Sequence, residues 1–270
     1  MDIIGRPAVA VNVGACMATP ESESFVRTFA RGLKVIEVLG QGPGGMTLAE
    51  VADGIALPRT AVRRFLMTLM ELAFVRSDGK RYWLTPRVLR LGLSYLATLP
   101  YWRDAQPALE ELCARTQQSC ALSVLDGEEL VYVMRQHTKR ILPMSPSHGS
   151  RLPAHAVSMG RVLLAGLPDD DLEHYLANVQ PVKLTPATVT DRAQLREAIL
   201  AVRQQGWAWI DGELDESICG LAIPVRDRSG ATVAALNVSL PSGQFTQEQA
   251  LQNYIGELRM AASHLRASDR

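Results

Sequence analysis

Apolar residues recur every three or four positions through the first third of the chain, which is the spacing of one helix face. The pattern predicts three amphipathic helices, over residues 25–39, 48–55 and 57–72. The predicted core-facing positions are Phe25, Phe29, Leu33, Ile36 and Leu39 in the first helix, Leu48, Val51, Ala52 and Ile55 in the second, and Val62, Phe65, Leu66, Leu69 and Leu72 or Ala73 in the third.

Cap and turn signals join these helices into one module. Thr47 and Glu50 have the spacing of a capping box at the start of the second helix. Asp78-Gly79 lies between two short apolar runs and is a strong signal for a two-residue hairpin. The sequence therefore predicts a helix-turn-helix followed by a β-hairpin wing.

The third predicted helix carries arginines opposite its apolar stripe. In a lone helix, such a basic face is most simply a solvated surface. Between a capped helix and a hairpin with a basic tip, it matches a reading helix, which can enter the major groove of double-stranded DNA. The candidate DNA-binding residues are Thr47, Arg59, Thr60, Arg63, Arg64, Lys80 and Arg81.

Position along the helix assigns a role to each candidate. Thr60, Arg63 and Arg64 are placed to contact base edges, and Arg59, in the first turn, to contact phosphate. The two wing residues are expected to hold phosphate or the minor groove. For Arg64, which lies nearest the apolar stripe, an ion pair within the domain is the alternative.

The charge distribution supports a separate DNA-binding part. The formal net charge of the chain is zero. Residues 24–90 nevertheless hold 11 Lys and Arg against 5 Asp and Glu, and residues 91–270 hold 16 against 20. A basic module next to an acidic domain indicates a polyanion-binding unit joined to a unit with another task.

The hydrophobic pattern and the composition divide the chain into four predicted segments. Residues 1–23 are predicted to be a disordered N-terminal arm, 24–85 a winged helix-turn-helix domain, 86–100 a linker helix and 101–270 an α+β domain. The linker is apolar on more than one face, which favours a dimer contact, with packing inside its own subunit as the alternative. In the last segment the predicted helices are 103–116, 153–164, 169–177, 191–205 and 246–265, and the predicted strands are 121–125, 130–134, 207–211, 218–225 and 232–240.

Catalysis, metal binding and membrane insertion find no support in the sequence. Ser158 lies in a segment that resembles a nucleophile elbow but lacks its first glycine, and the five histidines show no metal-ligand spacing. No run approaches the ~18–20 apolar residues of a membrane helix. Four cysteines without a Cys-x-x-Cys pattern favour reduced thiols in a cytoplasm. We therefore expect no catalytic residue, metal or cofactor, and a cytoplasmic location.

Polar residues in the α+β domain indicate a binding pocket. The segment 149–153 precedes a predicted helix, so free backbone amides and Arg151 would face an anion there. Asp211 and Glu213 follow a strand, and Asn237 and Ser239 share one face of another. Buried polar groups need partners, which are either a small polar ligand or ordered water and backbone.

Several segments resemble the IclR family of bacterial transcriptional regulators, and within it the branch that controls aromatic-acid catabolism through the β-ketoadipate pathway. The resemblance extends over about residues 24–266. The segments that carry it are Ser24-Phe-Val-Arg-Thr-Phe-Ala-Arg-Gly-Leu33, Arg63-Arg-Phe-Leu66, Leu84-Thr-Pro-Arg-Val-Leu89, Arg151-Leu-Pro-Ala154, Ser158-Met-Gly-Arg-Val-Leu-Leu-Ala165 and Ala235-Leu-Asn-Val-Ser239.

The resemblance implies a winged helix-turn-helix, a dimerising linker helix and a GAF-like effector-binding domain. It implies operator DNA, a small carboxylate effector (an aromatic acid or a β-ketoadipate-type metabolite) and a second copy of the chain as partners. It also implies dimers that can pair into tetramers, and it allows contact with RNA polymerase. The implied effector-binding residues are Gly149, Ser150, Arg151, Leu152, Pro153, Asp211, Glu213, Cys219, Gly220, Asn237 and Ser239.

One stretch departs from the family pattern. Ser217 replaces a usual glycine, Cys219 a usual arginine and Gly220 a usual serine, while His155 replaces a usual tyrosine. The effector can therefore differ from the branch norm and be an unrelated organic acid. Two other hypotheses are an enzyme domain tethered to DNA and a nucleoid protein that binds without sequence preference.

Overall fold

The computed structural model describes residues 25–99, 101–138 and 148–267, and the predicted arm over residues 1–23 lies outside them. The described residues fall into two units, which meet in sequence between Leu93 and Ser94. This boundary lies inside the segment predicted as a linker helix. The architecture is an α+β fold, with a winged helix-turn-helix before a sheet domain.

The first unit contains three helices and a small antiparallel sheet. The capping box at Thr47 is confirmed: its hydroxyl accepts the Glu50 N–H, and the Glu50 carboxylate accepts the Thr47 N–H. The sheet has the order β1-β3-β2, and the hairpin of β2 and β3 is the predicted wing. The elements are α1 (Arg27–Leu39), β1 (Met46–Thr47), α2 (Leu48–Gly54), α3 (Arg59–Glu71), β2 (Val75–Ser77) and β3 (Arg81–Leu84).

The core of this unit is narrower than the apolar stripes predict. Helix α1 buries Val35, Val38 and Leu39, whereas Phe25, Phe29 and Leu33, predicted to face the core, are exposed. The C-terminal half of α1 meets α2, α3 and β3, so its N-terminal half projects beyond them. At the end of α3, Leu72 and Ala73 are also exposed, because the helix stops at Glu71 and Ala73 adopts a φ of 59°.

The segment that follows the wing has no core of its own. Thr85 caps a 3-10 turn over Pro86–Val88, and α4 (Leu89–Thr98) continues from it. None of the α4 residues is buried, and Leu89 is 64% exposed. The predicted helix is confirmed, with an apolar surface that packs little within the described chain.

The second unit is built on a six-stranded antiparallel sheet with the order β6-β5-β4-β9-β8-β7. Because β4 pairs with both β5 and β9, the β4–β5 hairpin and the β8–β9 hairpin join into one sheet. The elements are α5 (Trp102–Thr116), β4 (Ser119–Asp126), β5 (Glu129–Gln136), β6 (Arg151–Pro153), α6 (Ser158–Ala165), α7 (Asp169–Asn178), α8 (Arg192–Gln205), β7 (Ala208–Asp211), β8 (Ile218–Arg226), β9 (Thr232–Pro241) and α9 (Gln247–Ala267).

Alternate residues of β8 and β9 point to opposite faces of the sheet and pack into two different cores. Leu221 and Leu236 face α5 and α9, whereas Ala222 and Ala235 face the layer of α6, α7 and α8. Alanines on that second face let α6 pack closely against β8 and β9. The close approach brings the first turn of α6 to the sheet.

The helix predicted over residues 153–164 is wrong at its start. Arg151–Pro153 forms strand β6, which pairs with β5, and Ala154–Ala156 forms a 3-10 turn. Val157 is extended, with φ −135°, so α6 begins only at Ser158. A three-residue strand has too few positions to display a period of two, so β6 leaves no recognisable pattern in the sequence.

Candidate nucleic-acid interface and ligand pocket

Helix α3 has one buried and one exposed face. Val62, Leu66 and Leu69 are buried in the core of the first unit. Arg59, Arg63 and Arg64 are exposed, and within the described residues none of these guanidinium groups forms a hydrogen bond or an ion pair. The internal ion pair considered for Arg64 is not formed among these residues. The face therefore presents three positive charges to solvent.

The hairpin of the wing is fixed by Asp78 at its turn. One oxygen of the Asp78 carboxylate accepts the N–H groups of Lys80 and Arg81, each at 2.8 Å. These backbone hydrogen bonds lower the pKa of Asp78. Gly79 supplies the positive φ of 94° that the turn needs. The side chain of Lys80 is left exposed at the tip.

The arginines of the wing differ in their surroundings. Nη1 of Arg81 donates to the Gly45 carbonyl at 2.7 Å and lies 3.9 Å from the Glu50 carboxylate, so this side chain ties the wing to the start of α2. The guanidinium of Arg76 stacks on the ring of Trp83, 4.7 Å from its centroid. Arg76 is exposed and was absent from the candidates; its position two residues before Asp78 was the available signal.

The second unit contains a small cavity between the sheet and the first turn of α6. Its volume is about 40 Å³. It brings together four of the residues implied by the resemblance, Cys219, Gly220, Asn237 and Ser239, and we call it the ligand pocket. The other lining residues are Tyr132, Ala156, Val157, Ser158, Met159, Ile210, Leu214 and Ile218, which lie on elements far apart in sequence.

Buried polar atoms line the ligand pocket. Nδ2 of Asn237 donates to the Ser239 hydroxyl at 3.2 Å, while Oδ1 of Asn237 is buried and has no hydrogen-bond partner. A Cβ at Gly220 would come within 2.9 Å of the Ser158 hydroxyl, so glycine keeps this space open. Helix α6 starts at Ser158 with no side-chain cap, which leaves first-turn amides without an intrahelical acceptor.

Cys219 contributes a neutral thiol to the ligand pocket. Burial raises the pKa of this thiol to about 12, and its sulfur lies 3.5 Å from the Leu240 carbonyl oxygen. A thiol of this kind is protonated at neutral pH and behaves as a small apolar group. The lining residues therefore include no side chain with a formal charge at neutral pH.

The loop implied as a pocket wall at Gly149 to Pro153 does not line the cavity. Arg151 is held by two carboxylates instead, with Nε 2.6 Å from Glu129 and Nη1 2.6 Å from Asp126. The Gly149 N–H donates to the Tyr132 carbonyl. Because β6 intervenes, these amides do not form the start of a helix. The loop reaches the pocket only through its backbone hydrogen bonds with the lining residue Tyr132.

Asp211 and Glu213 also lie outside the lining. Asp211 is exposed and accepts a hydrogen bond from the Ser242 hydroxyl at 2.6 Å. Glu213 is 7% exposed and pairs with Arg161, which is 5% exposed, at 2.7 Å. The same carboxylate accepts the Val189 N–H at 3.1 Å. Glu213 therefore acts inside the protein, next to the lining residue Leu214.

The buried pair joins α6 to the loop after β7. Arg161 also donates from Nε to the His155 carbonyl at 3.1 Å, and the Thr188 hydroxyl donates to the Glu213 carbonyl at 2.6 Å. Ser158 and Leu214 line the ligand pocket on either side of this pair. The geometry makes Arg161 and Glu213 supports of the pocket wall.

Neither a metal-ligand cluster nor a membrane-spanning helix is found in residues 25–99, 101–138 and 148–267. Among those residues, no three or more His, Cys, Asp and Glu side chains are grouped as a metal site would require. No helix within the same ranges is both long and apolar enough to cross a membrane.

A winged helix-turn-helix with an arginine face, together with a separate sheet domain that holds a small cavity, defines a two-domain DNA-binding regulator. The chain belongs to the IclR family of bacterial transcriptional regulators. The IclR helix-turn-helix domain matches residues 28–79, and the bacterial transcriptional regulator IclR C-terminal domain matches residues 93–267.

Similar proteins agree with this assignment. The Pca regulon regulatory protein of Pseudomonas putida is 35% identical over 269 residues, which is 96% of this chain and 92% of the relative. A crystal structure of a protein from Rhodococcus sp. RHA1 is 44% identical, covers 90% of this chain and 98% of that one, and has a TM-score of 0.78. A double mutant of the PobR inducer-binding domain from Acinetobacter, in complex with 3-hydroxybenzoic acid, is 33% identical with a TM-score of 0.56, and covers 61% and 96% of the two chains.

Proposed function

We propose that this regulator binds operator DNA through α3 and the wing, and that a small aromatic carboxylate in the ligand pocket changes that binding. The observation that carries the proposal is the exposed arginine face of α3, whose guanidinium groups have no partner within the described residues. Identity of 35% to a Pca regulon regulatory protein supports the aromatic-acid branch.

The DNA contacts divide into two classes. Thr60, Arg63 and Arg64 read base edges in the major groove, and Arg59 binds phosphate at the start of α3. Lys80 binds phosphate from the wing. Thr47 and Arg81, which we also assign to the interface, have a second task, because both side chains hold the start of α2 in place.

The effector binds among Cys219, Gly220, Asn237 and Ser239. The first-turn amides of α6 and the Ser158 hydroxyl attract its carboxylate, as the uncapped start of a helix favours an anion. The orphan Oδ1 of Asn237 accepts a hydrogen bond from the ligand. Gly149, Ser150, Arg151, Leu152, Pro153, Asp211 and Glu213 support the pocket from outside its lining.

Effector binding requires the ligand pocket to enlarge. Its 40 Å³ is far below the ~300 Å³ at which typical ligand pockets begin. An aromatic acid must therefore displace wall side chains such as Leu214 and Ile218. A ligand that fits only the enlarged state shifts the population toward it, which is the physical basis of a switch.

The protein acts as a homodimer in the cytoplasm, where its DNA is. The exposed apolar residues of α4 supply the contact between copies, and dimers pair into tetramers. Contact with RNA polymerase then converts operator binding into regulation. The domain binds its effector without turnover, so an aromatic acid incubated with the protein is recovered unchanged.

An electrophoretic mobility shift tests the proposal. The full chain is titrated onto DNA from its own upstream region and onto scrambled DNA, with and without 4-hydroxybenzoate, protocatechuate and β-ketoadipate. We expect a sequence-specific shift that at least one acid alters. Equal binding to both DNAs with no effect of any acid would refute the proposal and favour a nucleoid protein.

A further inference from the structure

A second, larger cavity lies at the edge of the six-stranded sheet. Its volume is about 240 Å³, and it shares no lining residue with the ligand pocket. Its lining comes from three places: Gly206 after α8, the end of β8 and the last third of α9. We call it the edge cavity.

The edge cavity exists because β7 is shorter than β8. Strand β7 pairs with β8 only as far as Ala208 opposite Ala222. Beyond that pair, Ile223 to Arg226 have no strand beside them on this side, within the described sheet. Gly206, with φ 79°, turns the chain out of α8 just before this point. The missing strand length leaves a space between the sheet edge and α9.

The lining of the edge cavity is positively charged. Arg226 and Arg259 are its charged residues, and no carboxylate side chain lines it. Arg259 forms no hydrogen bond or ion pair with any other described residue. Arg226 donates from Nη1 to the Gly230 carbonyl at 2.9 Å, which leaves most of its five N–H donors available.

Most of the remaining lining is apolar; its one hydroxyl, that of Ser263, donates to the Met260 carbonyl. Ile223 and Pro224 come from the strand and Ala262 from the helix, one turn after Arg259. Apolar surface next to guanidinium groups suits a ligand with a carbon skeleton and a negative group, because the planar guanidinium binds a carboxylate through two parallel hydrogen bonds. A volume of about 240 Å³ has room for a small molecule.

We propose that the edge cavity is a second binding site, selective for a small organic carboxylate held by Arg226 and Arg259. The second unit then has two anion sites that share strand β8, one at Cys219–Gly220 and one at Ile223–Arg226. This inference does not depend on the proposed function, because the two sites have separate lining residues.

Calorimetric titration of the full chain with benzoate at low ionic strength tests the inference. The variants are R226Q, R259Q and the double variant, and the matched control is R228Q, an exposed arginine of the adjacent turn that does not line the cavity. We expect one binding event to weaken about tenfold in each single variant and to disappear in the double variant, as loss of a charge-assisted hydrogen bond predicts. R228Q should leave it unchanged.

Two further ligands test whether the edge cavity requires both a negative charge and a carbon skeleton. Neutral benzamide should not bind at the edge cavity, and inorganic phosphate, which lacks a carbon skeleton, should bind at least tenfold more weakly than benzoate. Binding that no arginine variant changes, or that R228Q weakens equally, would overturn the inference. Phosphate binding as tight as benzoate would reduce the cavity to a site for an adventitious ion only.

The same titration separates this inference from the proposed function. If benzoate binds only in an event that is insensitive to Arg226 and Arg259, the edge cavity is not a carboxylate site and the ligand pocket still stands. If only the arginine-dependent event occurs and no acid alters operator binding, the proposed effector response fails while the second site stands.

Discussion

Arg63 is the residue whose loss should most change sequence recognition. It is exposed in the middle of α3 and has no partner within the described residues. We expect R63A to cost about 1–3 kcal/mol of operator binding and to relax the preference at one base pair, as loss of a bidentate base contact does. Fluorescence anisotropy on the operator and on single-base variants measures both effects.

K80A is the comparison variant for that measurement. Lys80 lies at the tip of the wing and is assigned to phosphate, so its loss should weaken all DNA sequences alike and reduce the salt-dependence slope by about one. If R63A instead weakened operator and scrambled DNA equally, Arg63 would be a phosphate contact and the base-edge assignment would fall.

Glu213 should matter for folding more than any exposed acid. In E213Q, Arg161 keeps its charge in a buried place without a counter-charge, and breaking a buried pair costs about 3–5 kcal/mol. Urea denaturation gives the change in the free energy of unfolding. E173Q is the control, because its pair with Arg196 is exposed and is worth about 1 kcal/mol or less.

The paired variant R161M/E213L distinguishes charge from packing. Removing both charges leaves no uncompensated ion, so we expect it to be more stable than E213Q. Equal stability of the two variants would show that shape, and not the ion pair, holds the pocket wall.

His155 gives the second unit a pH dependence of known sign. The side chain is 3% exposed, and burial lowers the pKa of its imidazole, with the nearby Arg161 charge acting in the same direction. As the pH falls, this imidazole therefore binds a proton near pH 6.5 in the unfolded chain and only at a lower pH in the folded protein. The stability that comes from neutral His155 is fully present above pH 6.5, and it is lost as the pH falls toward the lower pKa of the folded state.

H155F isolates this contribution. Because phenylalanine does not titrate, the unfolding free energy of the variant should fall less than that of the wild type between pH 7 and pH 5. Denaturation series at both pH values measure the difference. Parallel losses in the two proteins would mean that His155 does not bind the proton responsible.

At the scale of elements, Gly45 lies at the contact between the wing and the turn before α2. It has a φ of 74°, and a Cβ there would overlap the indole of Trp83. We expect G45A to destabilise the first unit by at least about 1–2 kcal/mol, the cost of the left-handed conformation alone. G44A is a matched control one residue away, with nothing within 4 Å of its Cβ, and it should stay within about 0.5 kcal/mol of the wild type.

Thermal denaturation followed by circular dichroism compares the two glycine variants. A midpoint for G45A equal to that of G44A would mean that the contact between the wing and the turn is not closely packed. DNA binding by G45A should fall with stability, since Arg81 bonds to the Gly45 carbonyl.

The elements that could be predicted are those with local signals. Helix α3 and the wing follow from an apolar period, a cap and an Asp-Gly turn within 40 residues of one another. Strands β1 and β6 have two and three residues, too few for any period to be visible. Phe29 is exposed because the core formed with α2 and α3 covers only the later residues of α1, and the sequence of α1 alone does not show how far that core extends.

The same distinction explains the candidate sites. The arginine face of α3 is a property of one helix, so its exposed residues follow from spacing alone. The ligand pocket joins Tyr132, Ser158 and Leu214 to β8 and β9, and only the folded sheet brings them together. Arg151 and Glu213 have the polarity of ligand contacts, but their ion pairs are with residues distant in sequence.

At the scale of the whole molecule, α4 should control association. Its apolar side chains are exposed in a single copy, and Leu93 is 56% exposed. We expect L93E to shift the protein toward monomer, because the charge would be buried in the contact between copies. L184E is the control, since Leu184 is also exposed but lies in the second unit.

Sedimentation velocity over a range of protein concentrations measures the shift. Operator affinity should fall in parallel for L93E, because one copy binds only one half-site. An unchanged sedimentation coefficient at every concentration would place the contact between copies elsewhere.

The two outer strands of the large sheet have a consequence for aggregation. Strands β6 and β7 have only three and four residues, and where β8 extends past β7 it carries Pro224, which has no N–H to offer. The edge formed by β7 and the end of β8 therefore gives another chain little backbone on which to extend a sheet. Copies concentrated on DNA therefore find little at this edge from which to build a fibril.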